Sequence, residues 1–206
     1  KLFTSIDTWG PQAEYIRTGL DLKTWESNLD AYIRKTKSPV TLMITFNILS
    51  VVSFKKLLEK ILEWRQKYHE VITETPFDRK IGFDTPYLRE PLQYDMNLLP
   101  KSQFMPYMFE ALQFMQENSS ETDARLFSNL ENEKFHRVVK YMETTTLPDS
   151  RLAEGRRDFF NWFNEFDRRR SVSFLDTFPE YKNFYDLCKM HALNRSTVTS
   201  LKSEIV

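Results

Sequence analysis

Cysteine is almost absent: Cys188 is the single thiol in 206 residues, and only three histidines, His69, His136 and His191, accompany it at scattered positions. One thiol excludes an intrachain disulfide and fits a reducing, cytoplasmic setting. Cysteine and histidine alone therefore cannot assemble a ligand set for zinc or for an iron–sulfur cluster. Glycine is nearly as scarce, with Gly10, Gly19, Gly82 and Gly155 the only four. No glycine-rich phosphate loop can be built from them, which removes the P-loop and the dinucleotide fingerprint. No charge excess exists either, since 29 Lys and Arg balance 29 Asp and Glu. That balance gives no support to a nucleic-acid scaffold or to binding at an anionic membrane surface. No window approaches the ~18 apolar residues of a membrane span, no secretory leader is visible, and no internal repeat is found.

What the chain has is apolar and aromatic material. Hydrophobic residues make up 41% and aromatics 15%, with 17 Phe, which is enough for a packed core in one domain or one and a half. Residues 2–8 read as a buried strand that Gly10-Pro11 breaks. Asp21 caps a helix over 22–36, with Leu22, Trp25, Leu29 and Ile33 on one face, and Ser38-Pro39 stops it. Val40 to Leu49 is a nearly continuous apolar run, the pattern of a strand covered on both faces. Ser53 caps a second helix with Phe54, Leu57, Leu58, Ile61 and Leu62 as its stripe, and Lys80 to Thr85 reads as a third strand.

Strand, helix, strand, helix, strand at these spacings predicts parallel strands joined by crossovers. The fold class is thus α/β: the C-terminal half of a partial, TIM-like barrel over residues 1–100, followed by a helical, aromatic-rich extension over residues 101–206. Three strands cannot close a barrel, and the first strand has no start signal, so further strands are expected upstream of Lys1. In the extension, Phe104 to Met115 predicts one helix. Leu126 to Met142 predicts a second, capped by Thr122 or Asp123, and residues 150–168 a third that carries Phe159, Phe160, Trp162, Phe163 and Phe166. Ser173 to Cys188 is an aromatic segment interrupted by proline, and the polar tail from Asn194 is expected to fray.

Parallel α/β folds hold ligands at the carboxyl ends of their strands. Ser5 and Asp7 lie at one such end, Thr45 and Asn47 at the next, and Phe83, Asp84 and Thr85 at the third, with Arg17 just beyond the first. An arginine that can fork onto a carboxylate, beside amide and hydroxyl groups, suits a zwitterionic or sugar-bearing ligand. Ordinary capping of strand ends is the competing explanation.

Ser5-Ile6-Asp7 with Gln12-Ala13-Glu14-Tyr15-Ile16-Arg17, then Met43-Ile44-Thr45-Phe46-Asn47, Phe83-Asp84-Thr85-Pro86 and Leu98-Leu99-Pro100, resembles the second half of a radical S-adenosylmethionine enzyme of the twitch-domain subgroup. Arg156 to Asn161, Glu165 to Arg170 and Phe174 to Pro179 are similar to the C-terminal region of the same group. The resemblance implies a [4Fe–4S] cluster that reductively cleaves S-adenosylmethionine to a 5′-deoxyadenosyl radical, which abstracts hydrogen from a substrate, in some relatives a peptide or protein. It also implies contacts from Ser5 and Arg17 to the methionine carboxylate, from Asn47 to the ribose or methionyl part, and from the strand end at Phe83, Asp84 and Thr85 to the adenine, with Asp7 supporting the site or facing substrate and Thr45 among the cofactor-binding residues. The Cys-x-x-x-Cys-x-x-Cys loop that ligates the cluster in that family is not in this sequence, which predicts a chain inactive by itself. The alternative is a non-catalytic binding module that uses its aromatic C-terminal helices.

The remaining chemistry-bearing residues read as structure. Arg168-Arg169-Arg170 beside Glu165 and Asp167 fits an ion-paired helix end. Met105, Met108 and Met115 fit core positions, His69 and His136 surface, and Cys188 a small apolar side chain in an aromatic pocket. Asp84 and Glu90 are a conceivable acid–base pair, as are Cys188 and His191 a nucleophile and its base.

Overall fold

The computed structural model describes residues 2–71 and 80–203, with side chains described up to residue 193. Three short strands, β1 (Leu2–Ser5), β2 (Val40–Met43) and β3 (Ile81–Asp84), form one open parallel sheet in the order β1-β2-β3. Between β1 and β2 come α1 (Pro11–Ile16) and α2 (Leu22–Thr36), and between β2 and β3 comes α3 (Phe54–Lys67). Two 3-10 turns, Leu92–Tyr94 and Met96–Leu98, then lead into α4 (Lys101–Glu117), α5 (Asn129–Thr144), α6 (Asp149–Arg170), α7 (Phe174–Thr177) and α8 (Lys182–Ser203). The expected frayed tail from Asn194 continues the backbone of α8 to Ser203, and residues 204–206 lie outside the described residues.

Local chemistry accounts for most boundaries. Asp21 caps α2 through a 2.6 Å bond from the Thr24 amide. Gly10 enters α1 at φ 89°, a left-handed conformation suited to glycine, and Pro11 takes the first helical position. The sequence reading placed no helix over Pro11–Ile16, because a single turn shows no apolar period. The expected cap of α5 at Thr122 or Asp123 is displaced to Ser128, whose hydroxyl and Glu131 form a reciprocal capping box. Ser53 does precede α3, but its side chain makes no cap bond; its hydroxyl instead accepts a 2.6 Å bond from Thr8.

The sheet departs from expectation in its covering. The register puts Thr4, Leu42 and Phe83 on one face, beneath α2 and α3, and Ser5, Met43 and Asp84 on the other. Val40, Leu42 and Ile44 are fully buried, whereas Thr41 and Met43 remain half-buried, Phe3 is 60% exposed and Ser5 is exposed. β2 is therefore covered on one face only, not on both, and its regular pairing ends at Met43. The apolar residues that follow, Ile44 to Leu49, enter the core from a turning segment in which Asn47 and Ser50 bond each other's backbone.

On the covered side, α2 and α3 are tied by Asp30, which bonds Tyr68, Arg34 and Lys67 at 2.9 Å each. Trp9, Trp25 and Trp64 pack edge to face or tilted beneath β1. The helical extension has its own aromatic centre. Phe174 stacks on Phe178 and Tyr185 and meets Phe159, Phe163 and Tyr181.

Candidate functional site

The carboxyl ends of β1 and β2 converge on one carboxylate. Asp7 Oδ1 accepts a 3.0 Å bond from the Thr45 amide and a 3.1 Å bond from Arg17 Nη2, while Asp7 Oδ2 lies 2.9 Å from Arg17 Nε. The geometry follows from the local fold. β1 ends at Ser5, the chain bends through Asp7, and the single turn of α1 brings Arg17 back over the strand end. Arg17 Nε is off-line for a hydrogen bond to Oδ2 despite the short separation, so the two groups form an ion pair with one aligned bond. The Asp7 side chain is 4% exposed and that of Arg17 34%. Burial raises the Asp7 carboxyl above the ordinary carboxylate range, against the opposing pull of Arg17 and the Thr45 amide.

Around this pair the expected residues separate into three groups. Ser5 and Thr45 stand on the open side of the rim, and neither hydroxyl has a hydrogen-bond partner among the described residues. Asn47 is committed locally: its Nδ2 donates to the Thr45 carbonyl at 2.9 Å and its Oδ1 accepts from the Leu49 amide at 2.9 Å. Phe83 faces the covered side and packs against the Phe127 ring at 6.1 Å. Asp84 faces the open side, pairs with Lys134 at 3.0 Å and accepts from the Thr85 amide. The structure thus brings Ser5, Asp7, Arg17 and Thr45 to one rim. It turns Asn47 inward as a turn-former, sends Phe83 to the opposite face and joins Asp84 to α5.

Asp84 and Glu90 do not meet: Asp84 pairs with Lys134 and Glu90 with Arg151. Cys188 is fully buried, and burial pushes its thiol well above the usual range, unlike a poised nucleophile. Among the described residues no group of three or more His, Cys, Asp or Glu side chains is placed to hold a metal ion, and no helix is long and apolar enough to cross a membrane. Of the α6 aromatics, Phe159 and Phe163 are core, whereas Trp162 is 49% exposed.

Sequence reasoning passed over two features here. Tyr15, two residues before Arg17, donates a 2.7 Å bond to Asp167 and lies 4.9 Å from the Phe166 ring, so α6 braces the helix that carries Arg17. Tyr94 carries the rim to α6 from the other side, its carbonyl accepting from the Ile48 amide and its hydroxyl from Trp162. These bonds join residues more than 40 positions apart, and no local pattern announces them. No protein-family model matches the chain, and comparison with curated proteins and with solved structures returned no match.

Proposed function

We propose that this chain is the C-terminal portion of a radical S-adenosylmethionine enzyme of the twitch-domain subgroup, its open sheet being part of a partial barrel and its strand-end rim part of the cofactor site. The observation that carries the reading is Arg17 held by Asp7 at the carboxyl ends of two parallel strands, beside the hydroxyls of Ser5 and Thr45, which have no partner among the described residues. The half-exposed sheet face and the edge positions of β1 and β3 support it, because the same face lines the interior of a barrel with more strands.

The residues fit the organic cofactor in part. Asp7 consumes one side of the Arg17 guanidinium and orients the remainder, which is available to a carboxylate. Ser5 and Thr45 offer hydroxyls to polar groups of the ligand. S-adenosylmethionine would supply a carbon radical for hydrogen abstraction, from a substrate of a class that includes peptides, only when a one-electron reductant outside this chain cleaves it. The iron–sulfur cluster does not fit: the sole thiol is buried in the helical extension, and no group of three or more potential ligand side chains forms among the described residues. The protein's share is to bind and orient the cofactor, and this chain by itself is inactive in the proposal.

Titration of S-adenosylmethionine into the chain, followed by backbone amide shifts, tests the reading. The expected result is binding with a dissociation constant of order 1 mM, centred on residues 5–7, 17 and 45 and weakened at least tenfold by Arg17→Leu. Absence of any rim shift at about ten times that concentration defeats it.

A further inference from the structure

We propose that a cleft on α6 is a second small-molecule site, distinct from the strand-end rim, which takes a flat ring bearing one acidic group. The cleft has a volume of about 500 Å3, opens to the surface, and is lined by one face of α6, with Asp158, Trp162, Glu165, Phe166, Arg169 and Arg170, and by Gln93. This volume lies within the range of small-molecule sites, ~300–1,000 Å3.

Three observations specify the ligand. Trp162 is 49% exposed, yet its indole is fixed, because Nε1 donates a 3.0 Å bond to the Tyr94 hydroxyl and the Tyr94 ring meets it edge to face at 6.5 Å. An immobilised, accessible indole is a stacking platform whose ordering cost is already met in the free protein. The Arg170 guanidinium is folded back over Phe166, 4.2 Å from the ring centre, one helical turn (~6 Å) along from Trp162. Glu165 holds Arg168 and Arg169, and Asp158 holds Arg157, whereas Arg170 has no carboxylate partner among the described residues. A ring stacked on Trp162 therefore places a carboxylate or phosphate one ring's width away, beside the Arg170 cation, while the two carboxylates of the lining, Asp158 and Glu165, are paired with Arg157 and with Arg168 and Arg169. The carboxamides of Gln93 and Asn161 have no hydrogen-bond partners among the described residues and line the same cleft, so the donor and acceptor edge of a heteroaromatic ring can be read there.

Orotate is the probe, because it combines a flat ring, an amide edge and a carboxylate without an adenosyl or methionyl group. The Trp162 indole proton and the amides of residues 161–170 shift on titration in the expected result. Trp162→Leu and Arg170→Gln each weaken binding at least tenfold, and Arg17→Leu leaves it unchanged. Both substituted side chains are exposed, and circular dichroism shows whether each variant keeps its fold. Uridine 5′-monophosphate binding more tightly than orotate assigns the acid to a phosphate. Uracil binding as tightly as orotate overturns the role of Arg170, inorganic phosphate binding as tightly overturns the stacking platform, and no shift at about 10 mM overturns the site. Each outcome is independent of S-adenosylmethionine binding at the rim.

Discussion

Arg65 is a buried cation in the core that bonds groups on distant segments. Its side chain is 0% exposed, and it donates to the Ile81 carbonyl at 2.8 Å, the Leu126 carbonyl at 2.9 Å and Glu131 at 2.6 Å. One residue thus joins α3, β3 and the capping box of α5, with its guanidinium over the Phe127 ring at 5.3 Å. Truncation strands a buried carboxylate and two carbonyls, so Arg65→Ala is expected to destabilise by about 3–5 kcal/mol in urea titrations. Arg65→Met with Glu131→Leu should recover a large part of that loss, because the unpaired charge is gone. A cost equal to that of the single variant would show that the bonds to the carbonyls dominate. The position was legible only as a charged residue next to the apolar stripe of α3. Helical periodicity assigns it to a flank, and the partners that hold it inside come from distant segments.

At the scale of elements, α6 meets the 3-10 turns at Gly155. A methyl group built there lies 2.5 Å from Leu98 Cδ2 and 2.9 Å from Leu92 Cγ, closer than ordinary contact. In an exposed helix the change from glycine to alanine gains ~1 kcal/mol. Here Gly155→Ala is expected to lose about 1–3 kcal/mol through overpacking, read as a lower thermal midpoint. A raised midpoint would mean that Leu92 and Leu98 repack without cost. The elements themselves were largely readable: α2 begins and ends where its cap and Ser38-Pro39 predict, and α3 follows its apolar stripe. Those signals are local, because a cap, a proline and a period of 3.6 act within a few residues. The single turn α1, the Ser128 cap and the one-sided burial of β2 were not readable. Each depends on what packs against the segment rather than on its own residues.

At the scale of the whole molecule, acid sensitivity depends on which carboxylates span separate elements. Lys67, with Arg34 and Tyr68, holds Asp30 down to about 2, below its ordinary 3.8. Such a group adds stability above its unfolded-state value, and that stability is lost as pH falls through its folded-state value. Asp123 and Glu165 are also held near 2, but by arginines two to four residues away. Asp7 works in the opposite direction, since its raised value favours the folded state in acid and the contribution fades as pH rises. Urea stability should therefore decline between about pH 4 and pH 2, with Asp30→Asn flattening that decline more than Asp123→Asn, because Asp30 ties α2 to α3 whereas Asp123 pairs with an arginine two residues away. Equal slopes in the two variants would remove Asp30 from that role.

The residues alone were enough to read the α/β order, the parallel sense of the strands, the long helices and the exclusion of an intrachain disulfide, a P-loop and a dinucleotide fingerprint. These follow from composition, short-range periodicity and the connection lengths that parallel pairing requires. Packing alone settles that the sheet is covered on one face, that Asp7 takes up one side of Arg17, that Asn47 turns inward, and that the Trp162 indole is pinned by Tyr94. Each of these is a contact between residues set by the path of the backbone in three dimensions. Residue type specifies what a side chain can bond, and packing selects which of those bonds is made.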